Sequence, residues 1–181
     1  MEDNKDKDNF LVIEKAKTLD SEAISQIFET YYPKIYRYLY YRVKTKEDAE
    51  DLTSEVFVRL VKSIKNQEGN FEAWLYRIAQ NILVDYYRRK AVRKDSPLNE
   101  EILETATSQD KDEPILTEDE LRRVIEILTE EQKEIIILKF IEGYDNESIS
   151  QITGKSIGAV KALQFRAMVA LKEFFKKEKK I

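Results

Sequence analysis

The chain has 181 residues, 42% of them hydrophobic and 36% charged, with four glycines, three prolines, no cysteine and no histidine. That balance favours an all-helical protein of one medium or two small domains. It excludes disulfides, thiolate or imidazole metal sites, and any catalytic triad built on Cys or His. The formal net charge of −4 argues against free-standing DNA binding, which rests on excess positive charge.

Met1 to Asn9 is charged, reads as a frayed start, and lacks the apolar stretch of a secretion signal. A helix is expected from Asp20 or Ser21, carrying Ile24, Ile27, Phe28 and Tyr31 at helical spacing. Pro33 is expected to start a new helix or to kink this one. Tyr32, Tyr36 and Tyr40 share one face and read as core packing with hydroxyl tips in water. Thr45, three residues before Asp48, makes a capping-box-like start for the next helix. There Ala49, Leu52, Val56, Leu60 and Ile64 form an apolar stripe; Asp48, Asp51, Glu55 and Lys62 point the other way, with Ser54 and Val58 beside them. The stretch 65–70 (KNQEGN) reads as a loop, with Gly69 permitting a turn and Asn70 placed as an N-cap.

In the helix that follows, Phe71, Leu75, Ile78, Ala79, Ile82 and Tyr86 face one way. Trp74, Arg77, Asn81, Asp85 and Arg88 cluster on a second, more polar face. The plainer alternative for Trp74 is a partly buried structural residue. The two helices are thus amphipathic and of opposite charge, acidic then basic, which suggests a protein that holds one macromolecule while reading another. Asp95 to Pro114 has weak periodicity and reads as a flexible acidic linker.

Thr117 with Glu120, and Thr129 with Gln132, open two further helices, the second ending at Gly143. Asp145 can cap NESISQIT, Gly154 breaks the chain, and Ser156 can cap IGAVKALQFRAMVALKEFF. Small Ser150, turn Gly154 and apolar Ile157 and Val160 meet the steric needs of a helix-turn-helix. On the last helix, Ile157, Val160, Ala167 and Leu171 form an inner stripe. Ala162, Phe165, Arg166 and Val169 face away from it, with Lys161 at the side. Lysines, up to Lys179 and Lys180, make this end of the chain basic.

From about Leu19 to Phe175 these residues together resemble the sigma-70 family, specifically its small two-domain extracytoplasmic function group. Asp48-Ala49-Glu50-Asp51-Leu52 through Glu55-Val56-Phe57 looks like region 2.2. The segment Phe71 to Ala79, with Asn81 and Asp85, is similar to regions 2.3 and 2.4, and Leu128 to Leu171 to region 4. The resemblance implies an all-α fold of two small helical domains: a region 2-like domain over 10–94, an acidic linker over 95–116, and a region 4-like helix-turn-helix domain over 117–181. It implies core RNA polymerase as a partner, through the β′ clamp helices and the β flap, together with promoter DNA and an anti-sigma factor.

By that resemblance Asp48, Asp51, Ser54, Glu55 and Val58 would dock on polymerase. Asn66, Gln67, Asn70, Trp74, Arg77, Asn81 and Arg88 would read and melt the −10 element, where an aromatic wedge beside unstacked bases and cations on phosphates are needed. Ser156, Lys161, Ala162, Phe165 and Arg166 would read the −35 element, with Arg166 suited to guanine or phosphate and Phe165 to thymine methyls. The linker's acidity would suit the polymerase's RNA exit path.

Two departures stand out. Ser54 sits where the family usually has Gln, and Ala162, Leu163 and Met168 sit where many relatives carry Ser or Arg, leaving fewer side chains to reach DNA. No metal, cofactor, catalytic residue or membrane insertion is expected, and the cytoplasm is the expected compartment. Two other readings are a stand-alone helix-turn-helix regulator and an enzyme using a helical carboxylate pair; the absence of His, Cys and a Gly-rich phosphate loop weighs against the second.

Overall fold

The computed structural model describes residues 2–94 and 117–178, and all regular structure among the described residues is helical. In the N-terminal half, α1 (Glu2–Lys17), α2 (Ser21–Tyr40), α3 (Lys46–Ser63) and α4 (Phe71–Lys94) follow one another, with a 3-10 turn, Ile64–Asn66, after α3. The C-terminal half holds α5 (Glu118–Glu126), α6 (Glu130–Ile136), α7 (Asn146–Thr153) and α8 (Ile157–Glu178). The expected linker over 95–116, and Lys179 and Lys180 of the basic end, lie outside the described residues.

The local start signals match the sequence reading. Asp20, Thr45, Thr117, Thr129 and Asp145 each accept a backbone N–H from the first turn of a helix, which satisfies donors that have no partner inside the helix. Thr117 with Glu120 and Thr129 with Gln132 complete reciprocal capping boxes.

Three expectations are corrected. The frayed start is instead helix α1, which buries Ile13 and Ala16, one turn apart. The turn after it holds Leu19 at φ 63°, a left-handed conformation that Leu adopts at a cost of about 1–2 kcal/mol. Of the two outcomes expected at Pro33, the start of a new helix is excluded, because α2 runs through it. Burial of Tyr31, Ile35, Tyr38 and Leu39 around Pro33 outweighs the roughly 3 kcal/mol that an interior proline costs. The apolar run that opens at Thr129 is not one regular helix: Ile137–Ile141 forms a π-helical turn. That turn offsets the helical register, burying Ile137 and Leu138 while Phe140 stays 61% exposed.

One apolar core cluster runs through both halves, from Ile13 in α1 to Leu163 in α8, and a smaller one joins Leu128, Ile136 and Ala167. In α3 the buried positions Ala49, Leu52, Val56 and Leu60 keep the predicted stripe. Tyr32, Tyr36 and Tyr40 are half-buried and stacked along α2, with ring centroids 6.4 and 5.7 Å apart. The halves meet where α4 packs on α7 and α2 on the π-helical turn. At that seam the Tyr76 ring stands edge-on to Tyr38 and to Tyr144, at 5.1 and 5.8 Å.

Burial pushes the hydroxyls of Tyr38, Tyr76 and Tyr144 far above the ordinary 10.0, and that of Tyr87 to about 12. A raised native pKa stabilises the fold fully below pH 10.0, where the unfolded chain is still protonated, and that stability is lost as pH climbs beyond it. In an alkaline titration, these tyrosines should ionise together with the loss of far-ultraviolet circular dichroism. Gradual ionisation of all ten tyrosines with helicity intact would contradict the burial.

Candidate protein and nucleic-acid interfaces

The acidic helix α3 and the basic helix α4 lie side by side, and part of their opposite charge is spent on each other. Arg59 bonds Glu55 at 2.6 Å and reaches Asp85 at 3.8 Å, while Arg89 reaches Glu55 at 3.9 Å. Asp48 accepts a hydrogen bond from the Tyr86 hydroxyl at 2.7 Å and has the Lys90 ammonium 3.8 Å away. Asp48 and Glu55 therefore sit in the seam between the helices. Asp51, Ser54 and Val58 are exposed and form one stripe with Val61. Val61, 38% exposed beside Val58 at 51%, was missed in the sequence; its i+3 spacing from Val58 is the signal that finds it. The Ser54 hydroxyl donates to the Glu50 carbonyl at 2.9 Å.

The loop before α4 is tightly folded. Gln67 is only 3% exposed, and its amide donates to the Gly69 carbonyl at 2.9 Å across a turn that needs Gly69 at φ 70°. Asn66 is exposed. Asn70 caps α4 by accepting from the Ala73 N–H at 2.8 Å, and its amide nitrogen donates to Gln151 of α7 at 2.8 Å. Of the three loop residues singled out in the sequence, two thus have their amide nitrogens engaged inside the protein.

Along α4, Arg77, Asn81 and Arg88 are exposed and Trp74 is half-buried, its ring 5.7 Å from that of Phe71. Their i, i+3, i+7, i+14 spacing puts them on one solvent-facing stripe, to which the structure adds Val84, 55% exposed. Arg88 has Asp85 at 3.6 Å. The tryptophan is anchored on one side and open on the other, a geometry suited to stacking on a base.

The helix-turn-helix is formed by α7 and α8. Gly154 takes φ 70° at the C-cap of α7, and the Ser150 hydroxyl donates to the Lys155 carbonyl at 2.6 Å, pinning the turn. Ser156 caps α8 by accepting from the Ala159 N–H at 3.2 Å. The buried side of α8 is Val160, Leu163 and Ala167, which corrects two assignments. Leu163 belongs to the core and not to the reading face, and Ile157, at 43% exposure, is not part of the inner stripe. The cause is the helical period: 160, 163 and 167 line up at i, i+3, i+7, which leaves 157 at the margin. The open side presents Lys161, Phe165, Arg166, Met168 and Val169, with Ala162 half-buried. Phe165 is 71% exposed. Glu131 lies below the usual carboxylate range because Lys155 hydrogen-bonds it at 2.6 Å, with Arg166 adding to the effect.

Among the described residues no cluster of His, Cys, Asp or Glu is arranged to hold a metal, and no helix is long and apolar enough to cross a membrane.

The seam position of Asp48 gives a stability test. Asp48→Asn should lower unfolding stability by about 1 kcal/mol through a weakened hydrogen bond and ion pair, read from the urea midpoint. Asp51→Asn should leave the midpoint within about 0.5 kcal/mol of wild type.

Residues 27–93 match the family model for sigma-70 region 2, and residues 118–171 match the model for sigma-70 region 4. Over 166 residues the chain is 31% identical to the ECF RNA polymerase sigma factor BldN of Streptomyces coelicolor, covering 88% of this chain and 63% of BldN. It is 31% identical to the ECF RNA polymerase sigma factor SigW of Bacillus subtilis, covering 89% of this chain and 93% of SigW. Among solved structures, the fold is similar to that of RpoE from Bartonella quintana, crystallised with the anti-sigma factor NepR. The TM-score is 0.70 at 23% identity, covering 84% of this chain and 96% of the other.

Proposed function

Because the chain belongs to the sigma-70 family, in its extracytoplasmic function group, we propose that it binds core RNA polymerase, directs it to specific promoters and helps to open the DNA there. The observation that carries this reading is the open stripe of α4, where Trp74, Arg77, Asn81 and Arg88 stand in line on a solvent-facing side. An aromatic ring with guanidinium groups further along the same stripe supplies the two things strand opening requires: a platform for a base that leaves the stack, and cations for the phosphates. The net charge of −4 fits a protein that meets DNA in company, with polymerase supplying much of the charge that retains it.

Three surfaces divide the work. Asp51, Ser54 and Val58, extended by Val61, form the centre of the polymerase-docking surface, a mixed acidic and apolar patch whose apolar members lose water on contact. Asp48 and Glu55 act at its rim, where they also hold α3 to α4. Trp74 to Arg88, with Asn66 and Asn70 at the loop, read and melt the −10 element; Gln67 shapes that loop from within. Lys161, Phe165 and Arg166 read the −35 element, with Ala162 at the edge of the contact and Ser156 holding the helix N-terminus toward phosphate. No side chain of this protein performs covalent chemistry; nucleotide addition belongs to the polymerase. The cytoplasm is the compartment that this work implies, and an anti-sigma factor is the regulatory partner to look for.

In run-off transcription with purified core polymerase, Asp51→Arg with Val58→Asp should cut core-dependent transcript by at least about 30-fold, the equivalent of the roughly 2 kcal/mol lost at a central interface residue. Circular dichroism should stay unchanged. Trp74→Ala should lower transcription from duplex promoters about 5- to 150-fold, the range of 1–3 kcal/mol per stacked base, and a template with a pre-opened −10 bubble should restore most of it. Equal loss on both templates would remove Trp74 from strand opening. Tight binding to duplex promoter without polymerase would instead favour a stand-alone regulator.

A further inference from the structure

The outward face of α8 changes character along its length. At about 100° per residue, Phe165 lies opposite the buried Val160, Leu163 and Ala167, so its ring marks the centre of the exposed side. Val169, one turn further on, is exposed as well, and so is Met168 beside it. Toward the N-terminal end the same face is bare, because Ala162 and Gly158 stand one and two turns before Phe165. Nothing in the fold asks for that glycine. Gly158 has ordinary helical backbone, and the nearest new neighbour of a Cβ added there is the Ser156 hydroxyl, 3.9 Å away. A glycine in a helix weakens it relative to alanine, and what glycine permits in return is close approach of the backbone to something outside.

The side chains best able to read bases through paired hydrogen bonds are set away from this centre. Gln164, whose amide could read adenine, donates to Asn146 of α7 at 2.8 Å. Arg166 lies about 100° round the helix from Phe165. Lys161 and Lys172 fall within about 40° of Phe165, and each is a single charge on a flexible stem, suited to phosphate.

The exposed side of α8 is therefore apolar at its centre and cationic at its rim, in a chain whose net charge is −4. The cations select a polyanion as the occupant. The apolar centre then fits one feature of duplex DNA, the C5-methyl of thymine, which is the alkyl group that unmodified bases present in the major groove.

We propose that α8 reads its upstream promoter element through thymine methyl groups, with Phe165 and Val169 each seating one. The bare end at Gly158 and Ala162 lets the helix lie deep in the groove, and Lys161 and Lys172 hold the flanking phosphates. Phe165 and Val169 are about 6 Å apart along the helix, and stacked bases are about 3.4 Å apart, so the two thymines lie within two base-pair steps of each other. The inference rests on the promoter function proposed above. It adds the kind of sequence that α8 accepts: an element rich in A·T pairs, distinguished by methyl groups instead of hydrogen bonds. A cytosine methylated at C5 should then recover part of the binding that thymine gives.

The test uses the full chain with core RNA polymerase, on a promoter whose start site requires the chain. Deoxyuridine, which pairs as thymine does but lacks the methyl, replaces each thymine of the upstream element in turn. The holoenzyme concentration that gives half-maximal run-off transcript is then measured. At two positions the replacement should raise it about 4-fold each, the worth of one buried carbon, and about 15-fold together. At the same positions 5-methylcytosine should outperform cytosine. Phe165→Ala, a change at an exposed residue, should leave circular dichroism unaltered, weaken use of the thymine promoter and erase the thymine–uracil difference at one of the two positions. Val169→Ala should shrink that difference at the other. Uracil equal to thymine at every position, or a difference that survives in both variants, overturns methyl reading while the promoter function stands. Phe165→Ala with full activity on the thymine promoter also overturns it and assigns the patch to a protein partner. A chain that gives core polymerase no new start site removes the promoter function, and methyl reading falls with it.

Discussion

Helix α4 must satisfy three neighbours at once, and the rest of the molecule follows from how it does so. One side, with Leu75, Ala79 and Ile82, is buried in the core of the N-terminal half. A second side carries Tyr76 and Gln80 to the C-terminal half, against Tyr144 and Glu134. Only the third, from Trp74 to Arg88, remains for an outside partner. A helix has room for three such faces because its 3.6-residue period places neighbouring positions about 100° apart. Rotating α4 by one residue would bury arginines and expose the core, so the site's orientation is fixed by the same packing that fixes the fold.

Electrostatics follow the same economy. The opposite charges of α3 and α4 suggest two separate partners when they are read along the sequence. In three dimensions some of those charges tie the helices together, through Glu55 with Arg89, Arg59 with Asp85 and Asp48 with Lys90. What remains outward is smaller and more specific: Asp51 beside Val58 on α3, and Trp74 followed by Arg77 and Arg88 on α4. The seam between the halves repeats the pattern, with arginines from one side and glutamates from the other.

Features encoded by near neighbours in the chain could be read from the sequence. The caps at Thr45, Asn70, Thr117, Thr129, Asp145 and Ser156 act over three residues, and the glycine turn at Gly154 acts over one, so residue type alone reveals them. The helix-turn-helix and the stripe Trp74–Arg77–Asn81–Arg88 are periodic and were equally visible. What escaped depends on contacts distant in sequence. Among its described residues helix α1 buries Ile13 and Ala16 in a charged setting, and they count because other helices cover them. Pro33 sits inside α2 because packing outweighs a local penalty. Leu163 is covered because α8 packs its Val160–Leu163–Ala167 side on α6 and α7. The partners of Asp48, Gln80 and Glu134 come from 38 to 96 positions away, so no local pattern announces them.

Packing around α4 leaves one face open, the residues on that face suit a melted strand, and α8 offers a second, more apolar face for duplex DNA. The measurement that tests this most directly is the mapping of transcript 5′ ends made by core RNA polymerase on fragmented genomic DNA, with and without the purified chain. The account predicts new start sites that appear only with the chain and share two short sequence elements at a constant spacing upstream. Start sites that are unchanged by the chain, or new ones that share no such pair of elements, would contradict it.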